Sequence, residues 1–178
     1  MNIKILPYNT SWTEDYKEAS LSIKNILGDL LVDVYHVGST AVQGLSSRPI
    51  IDIMAVVKDI GIIEDYEDIF ENFGYECLGE FGLPGRRHCR KGINDRACHL
   101  DIFDIYNDKE IIRLLAFRDY LRAQPEEASF YGELKQALAL QFPEDLEGYA
   151  IGKSVFIDKL EKKAVEWYIN KFSVNGDM

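Results

Sequence analysis

The strongest constraint on the fold is a pair of short apolar segments on either side of a glycine-serine turn. Residues 33–37 alternate toward β-rich side chains, Gly38 and Ser39 permit a tight turn, and residues 50–57 form a mostly β-branched apolar run. A short helix is predicted between them, near residues 40–45. The pattern therefore predicts a strand, a turn, a short helix and a second strand in succession.

Asp52 stands in the middle of the second of these strands. A carboxylate in a buried strand is costly to desolvate unless a metal, a cation or a hydrogen-bond donor compensates it, so we expect Asp52 to have a partner. The turn at Gly38 and Ser39, followed by Thr40, could hold phosphate oxygens by donating hydrogen bonds to them. A divalent cation on Asp52 could then bridge those phosphates.

A second polar constellation lies on the strand predicted at residues 97–106. Because side chains alternate along a strand, His99 and Asp101 share one face. If this strand lies beside the Asp52 strand, these residues and Asp52 could offer one nitrogen and two carboxylates to Mg, Mn or Zn. Asp52 and Asp101 are then the candidate catalytic groups. A solvent-facing polar strand edge is the alternative.

Basic side chains supply candidate phosphate contacts, although the formal net charge is −10. Arg48 stands just upstream of the Asp52 strand, while Arg86 and Arg87 follow a turn glycine and could grip phosphate oxygens bidentately. This basic cluster continues with Arg90, Lys91 and Arg96. A solvated, charge-rich hairpin is the alternative. His36, two residues before the turn, is predicted to face the same pocket.

The composition argues against several classes of protein. The acidic balance disfavours nonspecific binding to nucleic acid or to an anionic membrane, since both require neutralising Lys and Arg. No run approaches the roughly 20 apolar residues that span a bilayer, and no export signal is visible at the start, so a cytoplasmic location is expected. Cys77, Cys89 and Cys98 lack close pair spacing, which predicts free thiols rather than a disulfide framework or a zinc knuckle.

The remaining pattern predicts one domain over residues 1–172, with a sheet-containing part at about 1–107, a helical part at about 108–172, and a flexible tail at 173–178. Further strands are predicted at 75–80 and 87–91. Helices are predicted at 11–27, 60–73, 110–123, 126–141 and 146–172. Ser11 is the expected N-cap of the first helix, with Glu14 three positions later.

Two lysines of the helical part are further candidates for ligand contacts. Helical spacing places Tyr131 and Lys135 on one face. If this face turns toward the sheet, Lys135 and Lys153 could contact a base or a phosphate from a helical lid. A solvated helix face is the ordinary alternative.

Several of these motifs resemble the GrpB family, a group of small bacterial proteins placed in the nucleotidyltransferase superfamily. The resemblance is carried by residues 8–12, 36–42, 85–87 and 115–122, together with Tyr149, Gly152 and Lys153. It implies an α+β fold with a nucleotidyltransferase-like mixed β-sheet, flanking helices and a C-terminal helical bundle.

The chain departs from the superfamily pattern and from the GrpB pattern at three positions in total. The superfamily places two acids one residue apart on the strand after the turn, whereas this chain has Asp52 and Met54, which argues against two-metal nucleotidyl transfer. The GrpB pattern commonly has His where this chain has Cys98 and Asp101. An aspartate at the latter position still supplies a metal-competent or proton-accepting group.

The leading functional hypothesis is binding of a nucleotide or another phosphorylated small molecule with a divalent cation, with transfer of a nucleotidyl or phosphoryl group as its catalytic form. One alternative is a noncatalytic module that binds a ligand or a partner, accessory to a metabolic enzyme such as dephospho-coenzyme A kinase, to which GrpB-like domains are fused in some bacteria. Another is a metal-dependent hydrolase that uses His99 as a base.

Overall fold

The computed structural model describes residues 2–92 and 97–174, and a five-stranded mixed sheet lies at its centre. The strands are β1 (Leu31–Val37), β2 (Ile50–Val57), β3 (Tyr75–Cys77), β4 (Arg86–Lys91) and β5 (Ala97–Asp104). Their order is β1-β2-β5-β4-β3, with β2 and β5 parallel and the other neighbouring pairs antiparallel.

Helices cover both faces of this sheet. They are α1 (Ser11–Leu27), α2 (Glu67–Asn72), α3 (Asp108–Ala123), α4 (Pro125–Gln141) and α5 (Leu146–Val174). Short 3-10 helices occupy Gly28–Leu30, Ser39–Ala41 and Ile60–Tyr66. The predicted α+β fold, a mixed sheet followed by a helical bundle, is confirmed.

Side-chain alternation along β2 separates the two faces of the sheet. Ile51 and Ile53 join the larger apolar core, which also contains Ile23 of α1 and Phe70 of α2. Asp52 points to the opposite face, where α3 packs on the sheet. The strand is therefore buried on both sides, as is usual for a central strand with a parallel neighbour.

Met54 lies on the same face of β2 as Asp52, but it has no solvent exposure. It packs in an apolar cluster with Val37, Val56 and Phe103, against which residues of α3 also lie. A second carboxylate at this position would have to enter that cluster and would lack compensating donors there. The position of the missing second acid is thus occupied by a core residue beneath α3.

Several local predictions differ from the structure. Ser11 is the first residue of α1 rather than its N-cap, and its backbone N–H donates to the Asn9 side chain at 2.9 Å. The helix predicted at 60–73 begins as a 3-10 helix, capped by the Asp59 side chain, which accepts from Gly61 N, and it becomes α2 only at Glu67. The strand predicted at 75–80 ends at Cys77.

The last helix continues through Val174, so residues 173 and 174, predicted as the start of a flexible tail, are helical. Residues 175–178 of that tail, and Arg96 of the predicted basic cluster, lie outside the described residues. Within the described ranges, no helix combines the length and apolar character needed to cross a membrane.

Candidate functional site

Parallel pairing of β2 and β5 places Asp52 directly beside His99. The His99 Nδ1 and Asp52 Oδ1 atoms are 3.5 Å apart, and both side chains are partly exposed. This part of the predicted site is therefore assembled by strand register alone, because equivalent residues of neighbouring strands point to the same face.

Gly38 brings the turn after β1 against the Asp52 carboxylate. Its backbone has φ +71° and ψ −168°, a conformation that is essentially restricted to glycine. A Cβ atom at Gly38 would lie 2.5 Å from Asp52 Oδ2 and 3.0 Å from Asp52 Cβ. The absent side chain thus lets Ser39 reach the same cavity as Asp52.

That cavity, hereafter the lysine cavity, lies between the sheet, the loop before β2, and helices α4 and α5. Its volume is about 180 Å³. It is lined by Ser39, Ser47, Arg48, Ile50, Asp52, His99, Tyr131, Lys135, Tyr149 and Lys153. The structure therefore brings together predicted residues from the turn, two strands and the helical part.

Two tyrosine-lysine pairs form the helical wall of the lysine cavity. On α4 the Lys135 amine lies 4.5 Å from the centre of the Tyr131 ring, and on α5 the Lys153 amine lies 5.0 Å from the Tyr149 ring. In each pair the lysine follows the tyrosine by one helical turn, so cation–π contact stabilises the charged amine. Burial raises the pKa of both phenols, which keeps their hydroxyl groups protonated.

Lys135 is the most unusual residue of the cavity. It is 3% exposed, and its Nζ atom has no hydrogen-bond partner among the described residues. Burial, together with the positive charge of Lys153, lowers the pKa of Lys135 from 10.5 to about 7, while Asp52 opposes this shift. An ammonium group without hydrogen bonds is costly to bury, so this site favours an anion that would supply them.

The other cations of the cavity reinforce this preference. Burial and the nearby Arg48 guanidinium lower the pKa of Lys153. Three basic side chains and one carboxylate from the described residues line the cavity, so it carries excess positive charge within an acidic protein. Such a cavity concentrates small anions in spite of the overall charge.

Asp101 does not join Asp52 and His99 as predicted. Its carboxylate accepts from His88 Nδ1 at 2.7 Å and lies 3.3 Å from Arg86 Nη1, both on the adjacent β4. The pairing of β4 with β5 places His88 directly opposite Asp101, which explains this choice of partner. The Asp101 carboxylate thus holds β4 and its preceding loop.

The predicted arginine clamp is likewise committed to structural contacts. Arg86 donates to the carbonyl oxygens of Glu80 and Phe81, and Arg87 pairs with Glu64 at 2.9 Å. Neither arginine lines the lysine cavity. Both side chains are mostly buried, so these two arginines cross-link the hairpin to its neighbours, which differs from the solvated hairpin considered as the alternative.

His36 and Thr40 face away from the lysine cavity. His36 stacks on Tyr16 of α1, and its Nε2 atom lies 3.0 Å from the Thr40 hydroxyl, which donates to the carbonyl of Ile50. Both residues line a separate cavity that includes Arg122. The prediction placed His36 on the wrong side of β1, because it pairs with Ile53 whereas Val37 pairs with Asp52.

The candidate metal ligands do not converge in the structure. Across residues 2–92 and 97–174, no three His, Cys, Asp or Glu side chains are grouped so as to hold a metal ion. Asp52 and His99 remain adjacent, but Asp101 is bound to β4. These residues do not fit a resident three-ligand metal centre.

Ser47 and Ile50 of the cavity were not recognised in the sequence. Ser47 is buried because its backbone pairs with Leu6 of the amino-terminal segment, a contact between distant parts of the chain that leaves no local pattern. His88 was also missed as the partner of Asp101. His88 and Arg86 stand two residues apart and therefore share one face of β4, which was the available signal for that pairing.

Replacing Asp101 with Asn is expected to destabilise the fold without changing the lysine cavity, which Asp101 does not line. The variant loses an ion pair and a charge-assisted hydrogen bond, which together contribute about 1–3 kcal/mol. Urea unfolding measures the loss. A free energy of unfolding equal to that of the wild type would show that these contacts of Asp101 do not stabilise the fold.

The mixed sheet with its flanking helices has a nucleotidyltransferase-like fold. Among solved structures, Cid1 poly(U) polymerase with bound Mg 3'-dATP has a TM-score of 0.54 at 15% identity, covering 83% of this chain and 49% of that chain. This similarity concerns the fold alone.

The chain belongs to the GrpB family, whose model, described as GrpB protein, matches residues 2–163. The crystal structure of the conserved protein GrpB from Enterococcus faecalis has a TM-score of 0.89 at 40% identity, covering 93% of this chain and 99% of that one. The resemblance predicted from the motifs is therefore confirmed.

Two curated relatives show how the family varies in length. The UPF0157 protein YqkA of Bacillus subtilis is 34% identical over 99% of this chain, but the match covers 51% of YqkA. The UPF0157 protein SCO7215 of Streptomyces coelicolor is also 34% identical, over 92% of this chain and 85% of its own length. The chain thus spans about half the length of the Bacillus relative.

Proposed function

We propose that the protein binds a phosphorylated small molecule, with a phosphate group in the lysine cavity. The observation that carries this proposal is the buried Lys135 amine, which has no hydrogen-bond partner among the described residues. A phosphate oxygen would accept from this amine, and Lys153 and Arg48 would contribute further charge. The protonated phenols of Tyr131 and Tyr149 are additional donors.

The size of the cavity restricts which part of a ligand enters it. Its volume of about 180 Å³ is well below the roughly 300–1,000 Å³ typical of sites that enclose a whole small molecule. A phosphate group fits, whereas a complete nucleotide does not. The rest of the ligand would therefore extend past the partly exposed Asp52 and His99 side chains.

A divalent cation would enter this site with the ligand rather than reside in it. Magnesium is commonly held by one or two carboxylates together with substrate phosphates, and Asp52 is the carboxylate at the cavity. The close approach of the Gly38 turn to Asp52 favours nucleotidyl or phosphoryl transfer as a second candidate function. Phosphate binding is the part of the proposal that the buried lysine supports.

Thermal unfolding with a ligand panel tests the proposal. The panel comprises nucleoside mono-, di- and triphosphates, coenzyme A precursors and simple phosphate esters, each beside its unphosphorylated counterpart. Every ligand is tested with a chelator and with magnesium, manganese or zinc. We expect stabilisation by phosphorylated ligands in the chelator. Equal stabilisation by the unphosphorylated compounds, or none by any phosphate, would contradict the proposal.

A second measurement, on the ligands that the panel selects, separates binding from transfer. A ligand that stabilises the protein more strongly with magnesium is then incubated with it, and its phosphates are followed by ³¹P NMR. Cleavage that requires both magnesium and Asp52 supports transfer. An intact ligand leaves the protein as a binding module.

Phosphate affinity is expected to fall as the pH rises above about 7. The free protein has a Lys135 pKa of about 7, because burial and Lys153 disfavour the charged amine. A bound phosphate favours the ammonium form, so binding above pH 7 must take up a proton, and affinity decreases by up to about tenfold per pH unit. A phosphate ester has its own second pKa near 6 and is already dianionic in this range.

Calorimetric titration at pH 8, in two buffers of different ionisation enthalpy, measures this proton uptake. We expect net uptake in the wild type and much less in a Lys135→Met variant. Phosphate binding at pH 8 without proton uptake would mean that Lys135 is not in contact with the anion.

A further inference from the structure

Cys77 and Cys89 face each other across the last two strands of the sheet. The antiparallel pairing of β3 with β4 places them directly opposite. Leu78 N donates to His88 O at 2.8 Å and His88 N donates to Gly79 O at 2.8 Å, so residues 78 and 79 lie opposite His88 as a β-bulge beside the cysteine pair. Residues directly opposite each other in an antiparallel ladder have Cα atoms about 4.5–5.5 Å apart.

This spacing suits a disulfide. Disulfide-linked residues have Cα separations of about 4.4–6.8 Å, so the register brings the two cysteines within bonding range without movement of the strands. Both are free thiols that face the larger apolar core, where Cys89 is buried and Cys77 packs at its margin.

The two thiols differ in access and in acidity. Cys77 lies on the edge strand and is partly exposed, whereas Cys89 is 1% exposed. Hydrogen bonding with the Cys89 thiol lowers the pKa of Cys77, while the same contact and burial raise the pKa of Cys89. Cys77 is therefore the thiol that solvent reaches and that ionises more readily, which are the properties of an attacking cysteine.

We propose that Cys77 and Cys89 form a redox site that reacts with a hydroperoxide and closes a reversible disulfide. The Cys77 thiolate attacks one peroxide oxygen, the O–O bond breaks, and an alcohol, or water from hydrogen peroxide, leaves with a proton. The Cys77 sulfenic acid is then attacked by the Cys89 thiol, which forms the S–S bond and releases water. Two thiols are oxidised to a disulfide while one hydroperoxide is reduced to an alcohol and water.

The disulfide would act on the hairpin that connects β3 to β4. The residues between the two cysteines include Phe81, whose ring stacks on His88, and Arg86, which with His88 contacts Asp101. Oxidation closes a covalent ring around these residues. The site is separate from the lysine cavity and does not depend on phosphate binding.

Cys98 provides an internal control. It is paired in register with Lys91 rather than with a cysteine. Cys98 is buried, and no cysteine stands opposite it on either neighbouring strand. The expected product therefore contains Cys77 and Cys89 and excludes Cys98.

The test treats the reduced full chain with hydrogen peroxide, quenches with acid, and counts thiols in denaturant. We expect the thiol count to fall from three to one in the wild type and from two to none in Cys98→Ser. In both proteins the mass should decrease by two hydrogen atoms. Peptide mapping without reduction should join the peptides of Cys77 and Cys89, and dithiothreitol should restore both thiols.

Two variants assign the order of the reaction. In Cys89→Ala, dimedone should label Cys77 as a trapped sulfenic acid. Cys77→Ser, a conservative change at a partly exposed position, should form no intramolecular disulfide, with circular dichroism confirming its fold. A disulfide that contains Cys98, a dimer linked between chains, or the absence of any disulfide under peroxide would overturn the proposal.

Discussion

Replacing Lys135 with Met is expected to make the protein more stable and to remove most of its phosphate affinity. At neutral pH the wild-type chain buries an amine whose pKa has fallen to about 7, and each unit of pKa corresponds to about 1.36 kcal/mol. Replacing a buried ionic group with an apolar side chain of similar length often stabilises a protein by about 1–4 kcal/mol. Loss of the ammonium group should weaken phosphate binding by about 2 kcal/mol or more, roughly 30-fold.

The lowered pKa of Lys135 also makes the free energy of unfolding depend on pH. The unfolded chain holds the Lys135 proton below about pH 10.5, whereas the folded chain holds it only below about pH 7. Folding stability contributed by this residue therefore falls as the pH drops from about 10 to about 7, and it is constant below that range. The Met variant should lack this dependence.

Urea unfolding across this pH range, with phosphate titration at pH 7, measures both effects. Lys159→Met, at an exposed position on α5, is the matched control and should change neither quantity substantially. A Lys135→Met protein that is less stable and retains wild-type affinity would show that Lys135 is a structural residue.

Replacing Gly38 with Ala is expected to destabilise the protein by about 3 kcal/mol and to displace Asp52. The glycine-only backbone conformation accounts for about 1–3 kcal/mol of strain in alanine. The new Cβ atom would also meet Oδ2, Cβ and Cγ of Asp52 at 2.5–3.1 Å, so movement of the carboxylate group alone does not relieve the clash. For a chain of this size, the change should lower Tm by about 6–12 °C.

Gly44→Ala is the matched control for this substitution. Gly44 also has a positive φ, +83°, but a Cβ atom there would meet no atom within 4 Å. Its cost should be limited to about 1–2 kcal/mol of backbone strain. Equal losses in the two variants would mean that contact between Gly38 and Asp52 contributes nothing measurable.

The sequence predicted the strand half of the site because its determinants are local. Alternation along each strand places Asp52 and His99 on definable faces, and one parallel pairing then brings them together. The same rule gave the wrong face for His36, since the side of β1 that meets α1 depends on the packing of Tyr16. The period of a strand is local, whereas the layer that covers each face is not.

The helical half of the site was predicted only as an alternative to a solvated face. Whether Lys135 and Lys153 turn toward the sheet depends on how closely α4 and α5 pack. A Cβ atom on Gly152 would lie 2.6 Å from a methyl group of Leu138, so this glycine permits the close approach of the two helices. Such long-range packing, like the capture of Asp101 by β4, is not encoded in the spacing of residues along one segment.

Anomalous diffraction from crystals soaked in selenate, an oxyanion similar in size to phosphate, would locate the anion directly. The proposed function predicts a selenium peak in the lysine cavity, with an oxygen within hydrogen-bond distance of Lys135 Nζ, and the loss of this peak in Lys135→Met crystals. A wild-type cavity without selenium, in crystals that bind the anion at other surfaces, would contradict the assignment of the lysine cavity as a phosphate site.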